Sequence, residues 1–384
     1  MHTYPLLKQV FRVYKGVDLS NVLLLANQHL LADQEMAIRS LLKAGLRPEN
    51  CVIAGKCYST NRQVMNDLLS MGCVVAPFSL DFEPMQSFDE WFSSRLGSFI
   101  LQDLLRRNLT TYRKIVALDD GGFLHLVVDR LCRGLPNLVG IEQTSSGHHR
   151  IKAARVGFPV GSVARNYIKL THESPLIARN VIERVERHLR QRNRQDPNVL
   201  VFGLGPVGRQ VAGQLFLKHK WRGCVFDPKA DQLLAEERLV DLLTVRHRVL
   251  KDEELKRRLG EFDVIIGATG SPVLSADDIA RLHPEVSLIS VSSSDREFPA
   301  LAFRCLGKGI HDDYWRDGRC LVNGGFPITF DGSAQAMPPQ EIELTIALLM
   351  IYLMSEASDH RLFPIAYPIN QIYLMWTDNK ESRH

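Results

Sequence analysis

The sequence lacks cysteine pairs of the kind that hold metals or crosslink a fold. None of its seven cysteines stands in a Cys-x-x-Cys pair, which argues against a zinc ribbon and against a disulfide framework. Free thiols are expected in a reducing compartment. The N-terminal residues also lack the long apolar core of a secretory signal peptide. We therefore expect a cytoplasmic protein.

Long hydrophobic runs and a strong charge bias are also missing. The most apolar late stretch, 344–354, is too short to span a bilayer and predicts a buried helix. A formal net charge of +4 is too small to indicate a nucleic-acid partner. The 384 residues, 45% hydrophobic and 23% charged, suit a globular protein of two domains. We expect neither a membrane nor a nucleic acid as partner.

Strand-like and helix-like segments alternate over most of the chain. Apolar runs at 21–26, 51–56, 73–78 and 113–120 are separated by helical stretches, and a second series starts at 198–203. This alternation predicts an α/β protein with two Rossmann-like domains, each built on a parallel sheet.

The second series begins with a glycine motif, NVLVFGLGPVGRQVAGQL. Gly203 permits a tight turn, Gly205 lets the backbone approach a pyrophosphate, and Gly208 lets helix and strand pack closely. The helix start, Pro206 and Val207, offers a partial positive charge and N–H donors to phosphates. A bare structural turn is the alternative reading.

The strand after this motif ends in Asp227. A carboxylate there accepts hydrogen bonds from ribose hydroxyls and repels a 2′-phosphate, which favours NAD over NADP. Thr269 follows a later strand of the same domain, at a position that lies beside the nucleotide in this topology. NAD is the predicted cofactor.

Two acids, Asp119 and Asp120, end the apolar run of residues 115–118. They could be metal ligands, an acid/base pair or a turn. No His, Cys or Glu cluster stands at ligand spacing in the sequence to complete a metal site, so we expect no metal. The acid/base pair and the plain turn remain open.

Three segments, LDDGG (118–122), GIEQTSSG (140–147) and KLTHES (169–174), precede the glycine motif in this order. The order and spacing resemble S-adenosylhomocysteine hydrolase (adenosylhomocysteinase) from about residue 20 to 325. In that family, NAD oxidises the 3′-hydroxyl of a nucleoside, a base removes the acidified 4′ proton, and the 5′-thiol leaves. KCYSTN (56–61) similarly resembles the family's N-terminal F-S-T-Q segment.

The resemblance implies a set of site residues. The catalytic residues would be Asp120, Lys169 at the sugar hydroxyl, and Glu173. The substrate would contact His29, Asp33, Asn61 and Gln143. The cofactor would contact Thr144, Ser145, Ser146, Gly203, Gly205, Pro206, Val207, Gly208, Asp227, Thr269 and, beside the nicotinamide, Asn323.

Several positions depart from the family pattern. Gln143 stands where the family has a catalytic glutamate, and Glu173 replaces an aspartate. Ser293 and Phe330 stand where two histidines are expected. Ordinary thioether hydrolysis is therefore the third-ranked function, behind two others.

The first function is NAD-dependent oxidation of a nucleoside-like sugar, followed by elimination or related chemistry on another substrate. The second is a catalytically silent NAD-binding homologue with a regulatory or scaffolding role. A nucleoside-like small molecule is the expected partner, in a homodimer or homotetramer.

A shift in composition near residue 190 and the second alternating series indicate the domain order. A substrate-binding-like domain (1–178) precedes an NAD-binding domain (179–328), and a C-terminal helix and tail (329–384) pack back on the first. A long helix joins the two domains, and we predict that Ser174 caps it and that Pro175 is its first residue.

Overall fold

A computed structural model describes residues 4–235, 248–358 and 366–381. The chain divides into two compact units, each assembled from separate segments. Unit 1 comprises Met1–Asp81, Phe92–Glu173 and Gly332–His384, and unit 2 comprises Phe82–Trp91 and Ser174–Asp331.

The described strands are β1 (Val22–Leu30), β2 (Cys51–Thr60), β3 (Val74–Val75), β4 (Lys114–Asp119), β5 (Leu138–Glu142), β6 (Val160–Ser162), β7 (Asn198–Phe202), β8 (Arg222–Phe226), β9 (Val264–Gly267), β10 (Ser287–Ser290), β11 (Tyr314–Arg316) and β12 (Arg319–Leu321). The described helices are α1 (Pro5–Val13), α2 (Ala32–Lys43), α3 (Arg62–Ser70), α4 (Phe88–Leu104), α5 (Phe123–Leu131), α6 (Ser145–Ala154), α7 (Tyr167–Gln191), α8 (Pro206–Gly213), α9 (Ala230–Ala235), α10 (Asp252–Arg258), α11 (Pro339–Ala357) and α12 (Ala366–Glu381).

Unit 1 is built on a six-stranded sheet in the order β3-β2-β1-β4-β5-β6. Each neighbouring pair is parallel. Its central strands are buried along nearly their whole length, which explains why they read as continuous apolar runs rather than alternating ones. Helix α11 belongs to the same hydrophobic core.

Unit 2 is built on a second six-stranded sheet, β11-β12-β10-β9-β7-β8. Its pairs are parallel except β11 with β12. The short segment Phe82–Trp91 belongs to this unit. From this segment, the Asp89 carboxylate accepts hydrogen bonds from Ser294 Oγ (2.8 Å) and Arg296 (3.0 Å) of the same unit. The Phe88 ring lies edge-on to the Phe326 ring.

Each sheet reverses its strand order beside its first strand. The reversal lies between β1 and β4 in unit 1 and between β7 and β9 in unit 2. Ligands of open parallel sheets bind beyond the carboxyl ends of the strands at such a point. The predicted fold class, two Rossmann-like α/β units, is confirmed.

The predicted start of the long helix is wrong. Helix α7 begins at Tyr167, and Ser174 and Pro175 lie inside it. Ser174 is buried among helical neighbours and does not cap the helix. Packing of the apolar face outweighs the local preference of a Ser-Pro pair for a helix start. No helix among the described residues is long and apolar enough to cross a membrane.

Candidate functional site

The carboxylate of Asp120 lies at the strand reversal of unit 1, directly after β4. It accepts hydrogen bonds from Lys56 Nζ on one oxygen and Gln143 Nε2 on the other. His29 Nε2 lies 3.3 Å from the second oxygen. The ends of β1, β4 and β5 and the middle of β2 thus place a lysine, a histidine and an amide around one carboxylate.

Lys56 and Asp120 form a buried ion pair, with side chains 1% and 3% exposed. Burial opposes the charge on Lys56, but the Asp120 carboxylate outweighs it, so the pKa of Lys56 is raised. Burial would likewise raise the pKa of Asp120, yet Lys56 and His29 hold that pKa well below its usual range. Both groups are therefore charged at neutral pH.

His29 connects Asp120 to a serine hydroxyl. Its Nδ1 lies 2.5 Å from Ser59 Oγ, while its Nε2 faces Asp120. His29 is half-buried, whereas Ser59 and Asp120 are buried. A histidine held between a hydroxyl and a carboxylate can take up and release a proton, because the carboxylate stabilises the imidazolium.

The lysine paired with Asp120 is Lys56, which the sequence prediction missed. Lys169, predicted at the sugar hydroxyl of the substrate, donates from Nζ to the backbone oxygen of Gln143 (2.5 Å) and lies 3.4 Å from Glu173. Gln143 therefore links Lys169 to Asp120, and these three predicted residues lie close together. The missed signal was a lysine in the middle of the apolar strand β2.

The other predicted substrate residues have local structural partners. Asn61 caps α3, because its Oδ1 accepts from the backbone N–H groups of Gln63 (3.0 Å) and Val64 (3.3 Å). Asp33 lies in the first turn of α2. Burial raises the pKa of its carboxyl, and nearby His29 opposes that rise. Their contact with a substrate stays a prediction.

The Thr-Ser-Ser loop begins helix α6. Thr144 is the N-cap, and its Oγ1 accepts from Gly147 N (3.0 Å) and donates to Glu142 Oε1 (2.6 Å). Ser145 is exposed and Ser146 half-buried in the first turn. The contact of all three with NAD stays a prediction.

The expectation that nothing could join Asp119 in a ligand cluster is wrong. Ligand atoms of Asp119, His125 and Glu142 lie within 4.8 Å of one another. Asp119 and Glu142 are register partners on adjacent strands, and α5 brings His125 to both. The cluster was invisible in the sequence because parallel pairing joins distant residues. Burial opposes the imidazolium, but the two carboxylates outweigh it and raise the pKa of His125 to about 9.

The glycine loop of unit 2 has the geometry that the motif predicts. Gly203 has φ of 97°, and a Cβ there would lie 2.8 Å from the Ala268 carbonyl oxygen. A Cβ on Gly208 would lie 2.1 Å from the oxygen of Gly203. In contrast, a Cβ on Gly205 would meet no atom within 4 Å. The first and third glycines are required by the fold, and space next to the second is open.

Pro206 and Val207 begin α8 directly after this loop. Asp227 ends the neighbouring strand, and its carboxylate accepts from the backbone N–H of Leu204 (2.8 Å) and of Lys229 (2.8 Å). The carboxylate is therefore fixed against the glycine loop, and its contact with a ribose stays a prediction.

Thr269 lies in a loop held by Glu297, a residue that sequence reasoning missed. The buried Glu297 carboxylate accepts from Thr269 N (2.6 Å), Gly270 N (3.1 Å) and Ser290 Oγ (2.6 Å). The loop after β9 is thus set by one carboxylate, which leaves Thr269 at the strand reversal.

Asn323 has a structural role in unit 2. Its Nδ2 donates to the carbonyl oxygens of Pro327 (2.9 Å) and Phe330 (2.9 Å), and its Oδ1 lies 3.0 Å from His311 Nδ1. The amide holds its own loop, and its position beside a nicotinamide stays a prediction.

No family model matches the chain. Two uncharacterised proteins of Mycobacterium tuberculosis, from strains CDC 1551 / Oshkosh and ATCC 25618 / H37Rv, are each 34% identical over 354 residues. The match covers 90% of this chain, and the chain spans only 66% of the length of these relatives.

Among solved structures, a dipicolinate synthase subunit from Bacillus halodurans is similar, with a TM-score of 0.50 and 14% identity over 88% of this chain and 99% of that chain. Quinate dehydrogenase from Corynebacterium glutamicum, solved in complex with NAD, is a more distant neighbour with a TM-score of 0.31 and 13% identity, over 68% of this chain and 99% of that one. The likeness to the Bacillus halodurans protein shows a shared two-domain Rossmann-type fold.

Proposed function

We propose that the protein is an NAD-dependent oxidoreductase whose unit 2 binds the cofactor and whose unit 1 binds a nucleoside-like substrate. The observation that carries this proposal is the charged Lys56–Asp120 pair with His29 at the strand reversal of unit 1. Buried charges are costly to keep, and a cluster of them where ligands bind is typical of a functional site. The resemblance to adenosylhomocysteinase supports a sugar as the group recognised.

The residues of unit 2 fit NAD. The open space at Gly205 leaves room for a pyrophosphate, and the N-terminus of α8 offers N–H donors to it. The Asp227 carboxylate suits the ribose hydroxyls and disfavours a 2′-phosphate. When bound, NAD supplies a hydride acceptor for oxidation of an alcohol.

The residues of unit 1 supply binding and proton transfer. The Lys56–Asp120 pair is buried and orients His29, whose Nε2 faces the carboxylate. His29 lies between Asp120 and Ser59, and it is the half-buried member that a substrate can reach. We assign Nδ1 of His29 the uptake of a hydroxyl proton through Ser59 Oγ, with Asp120 stabilising the resulting imidazolium at Nε2.

A single-turnover absorbance experiment tests the proposal. Protein loaded with NAD is mixed with adenosine, S-adenosylhomocysteine and other nucleosides, and the reduced-nicotinamide band is followed while mass spectrometry identifies products. We expect a rise with at least one nucleoside. His29→Gln should abolish the rise while NAD still binds, and Asp227→Ala should weaken NAD binding itself.

The outcomes separate two functions. A catalytically silent, regulatory NAD-binding protein is the second candidate, because an amide, Gln143, stands at the Asp120 carboxylate where the resembling family has an acid. Bound NAD with no absorbance change across the panel would favour that candidate. A failure to bind NAD at all would contradict both.

A further inference from the structure

Asp119, His125 and Glu142 form a group separate from the Lys56–Asp120 pair, with side chains fully excluded from solvent. His125 Nδ1 lies 3.2 Å from Asp119 Oδ2 and 3.4 Å from Glu142 Oε2. Despite these distances, neither contact has hydrogen-bond geometry, and both Nδ1 and Oε2 lack a hydrogen-bond partner. Buried polar atoms without partners are rare in proteins and require an explanation.

Hydrogen bonds from the surrounding structure fix both carboxylates. Glu142 Oε1 accepts from the backbone N–H of Gly121 (3.1 Å) and of Thr144 (2.8 Å). Asp119 Oδ1 accepts from Asn27 Nδ2 (2.7 Å), and its Oδ2 accepts from the backbone N–H of His125 (2.9 Å), which leaves Oδ2 a second lone pair. These contacts leave Asp119 Oδ2 and Glu142 Oε2 directed to the same place.

His125 is oriented in the same way. Its Nε2 lies 3.2 Å from the backbone oxygen of Ala117. A metal-binding histidine commonly donates its second ring N–H to a carbonyl or carboxylate, which directs the other nitrogen to the ion. A bound cation would replace the Nδ1 proton, and the resulting Nε2–H tautomer would direct the Nδ1 lone pair to the ion between the two carboxylates.

Glycines make room for these side chains. A Cβ on Gly140 would come 2.6 Å from His125 Nε2, and one on Gly147 would come 2.3 Å from the carboxyl carbon of Glu142. Both positions exclude larger residues, so the backbone around the cluster is shaped for His125 and Glu142.

We propose that Asp119, His125 and Glu142 bind one divalent transition-metal ion of the zinc class. Tetrahedral ligands about 2.0–2.1 Å from zinc are about 3.3 Å apart, which agrees with the two N···O distances. One neutral imidazole and two carboxylates balance the ion's double charge, so the buried group is neutral overall. The ion would tie the ends of β4 and β5 to α5, next to Asp120.

Metal content and titration test this site on the full chain. Protein purified without chelator is analysed by mass spectrometry for metals, then stripped and titrated with Zn²⁺ at neutral pH. We expect one tight equivalent per chain, lost in His125→Gln. Cys320→Ser is the matched control, because His188, Asp313 and Cys320 are the other place among the described residues where three ligand atoms lie within 4.8 Å.

The outcomes are decisive in either direction. Loss of the tight equivalent in His125→Gln but not in Cys320→Ser supports the site. No tight uptake by the wild type, or uptake unchanged in His125→Gln, overturns it. If His125→Gln does not fold by circular dichroism, Co²⁺ is added to the wild type instead. Tetrahedral d–d bands without thiolate charge-transfer absorption then support the site, and their absence overturns it.

Discussion

Replacing Lys56 by methionine tests the buried ion pair of unit 1. Lys56→Met retains most of the side-chain length and apolar stem but leaves the Asp120 carboxylate, 2% exposed, without its cation. Removing one partner of a buried ion pair costs about 3–5 kcal/mol, because an uncompensated charge stays buried. We expect the lower end, about 3 kcal/mol, because His29 and Gln143 still face the carboxylate.

Urea unfolding at neutral pH measures this cost. The wild type, Lys56→Met, Asp120→Asn and the double variant form a double-mutant cycle, and the double variant should lose less stability than the sum of the single variants. Lys152→Met is the matched control. This lysine is exposed on α6, so its replacement should change the free energy of unfolding by less than about 0.5 kcal/mol.

Two results would refute the reasoning. A loss below about 1 kcal/mol in Lys56→Met would have the size expected of an exposed pair. A loss that disappears in high salt would also mean that solvent ions reach the pair.

Three further outcomes are expected. Gly205→Ala should leave the melting temperature unchanged but weaken NAD binding, measured by calorimetry. Gly208→Ala should lower the melting temperature, because only a Cβ on Gly208 meets backbone atoms. Equal losses of melting temperature in the two variants would contradict this. Asn61→Ala should lower the free energy of unfolding by about 1 kcal/mol through loss of the α3 cap. Asn61→Asp should keep most of the wild-type stability, because a carboxylate oxygen can also accept from the helix N–H groups. Equal stability of the two variants would count against the cap. The depressed pKa of Asp120 adds stability that is present above its unfolded pKa of about 3.9 and is lost as pH falls toward the folded pKa. The free energy of unfolding should therefore fall less steeply with acid in Lys56→Met than in the wild type. Parallel curves for the two proteins would contradict this.

The sequence was most informative where local chemistry decides the structure. The glycine loop could be predicted because a tight turn, a close ligand approach and a close helix contact each require glycine at a fixed spacing. Apolar runs separated by helical stretches likewise predicted parallel strands. In both cases the evidence lies within a few tens of residues.

The sequence was least informative where the sheet joins distant residues. Lys56 on β2 and Asp120 after β4 lie close together because only β1 stands between these two strands in the sheet. Apolar patterns in the sequence do not encode this strand order. Glu142 and Asp119 meet through strand register. The start of α7 was missed because tertiary packing carries the helix through Pro175.

The segment Phe82–Trp91 has a consequence for how the chain matures. It is synthesised long before Ser294, Arg296 and Phe326, yet its contacts with them lie inside unit 2. Unit 2 therefore cannot complete its packing until most of the chain has left the ribosome, and pairings of such high sequence separation form slowly. A fragment limited to 174–331 would leave Arg296 without the Asp89 carboxylate and Phe326 without Phe88. The segments of the two units thus alternate along the polypeptide, and unit 2 is complete only with a segment that precedes most of unit 1.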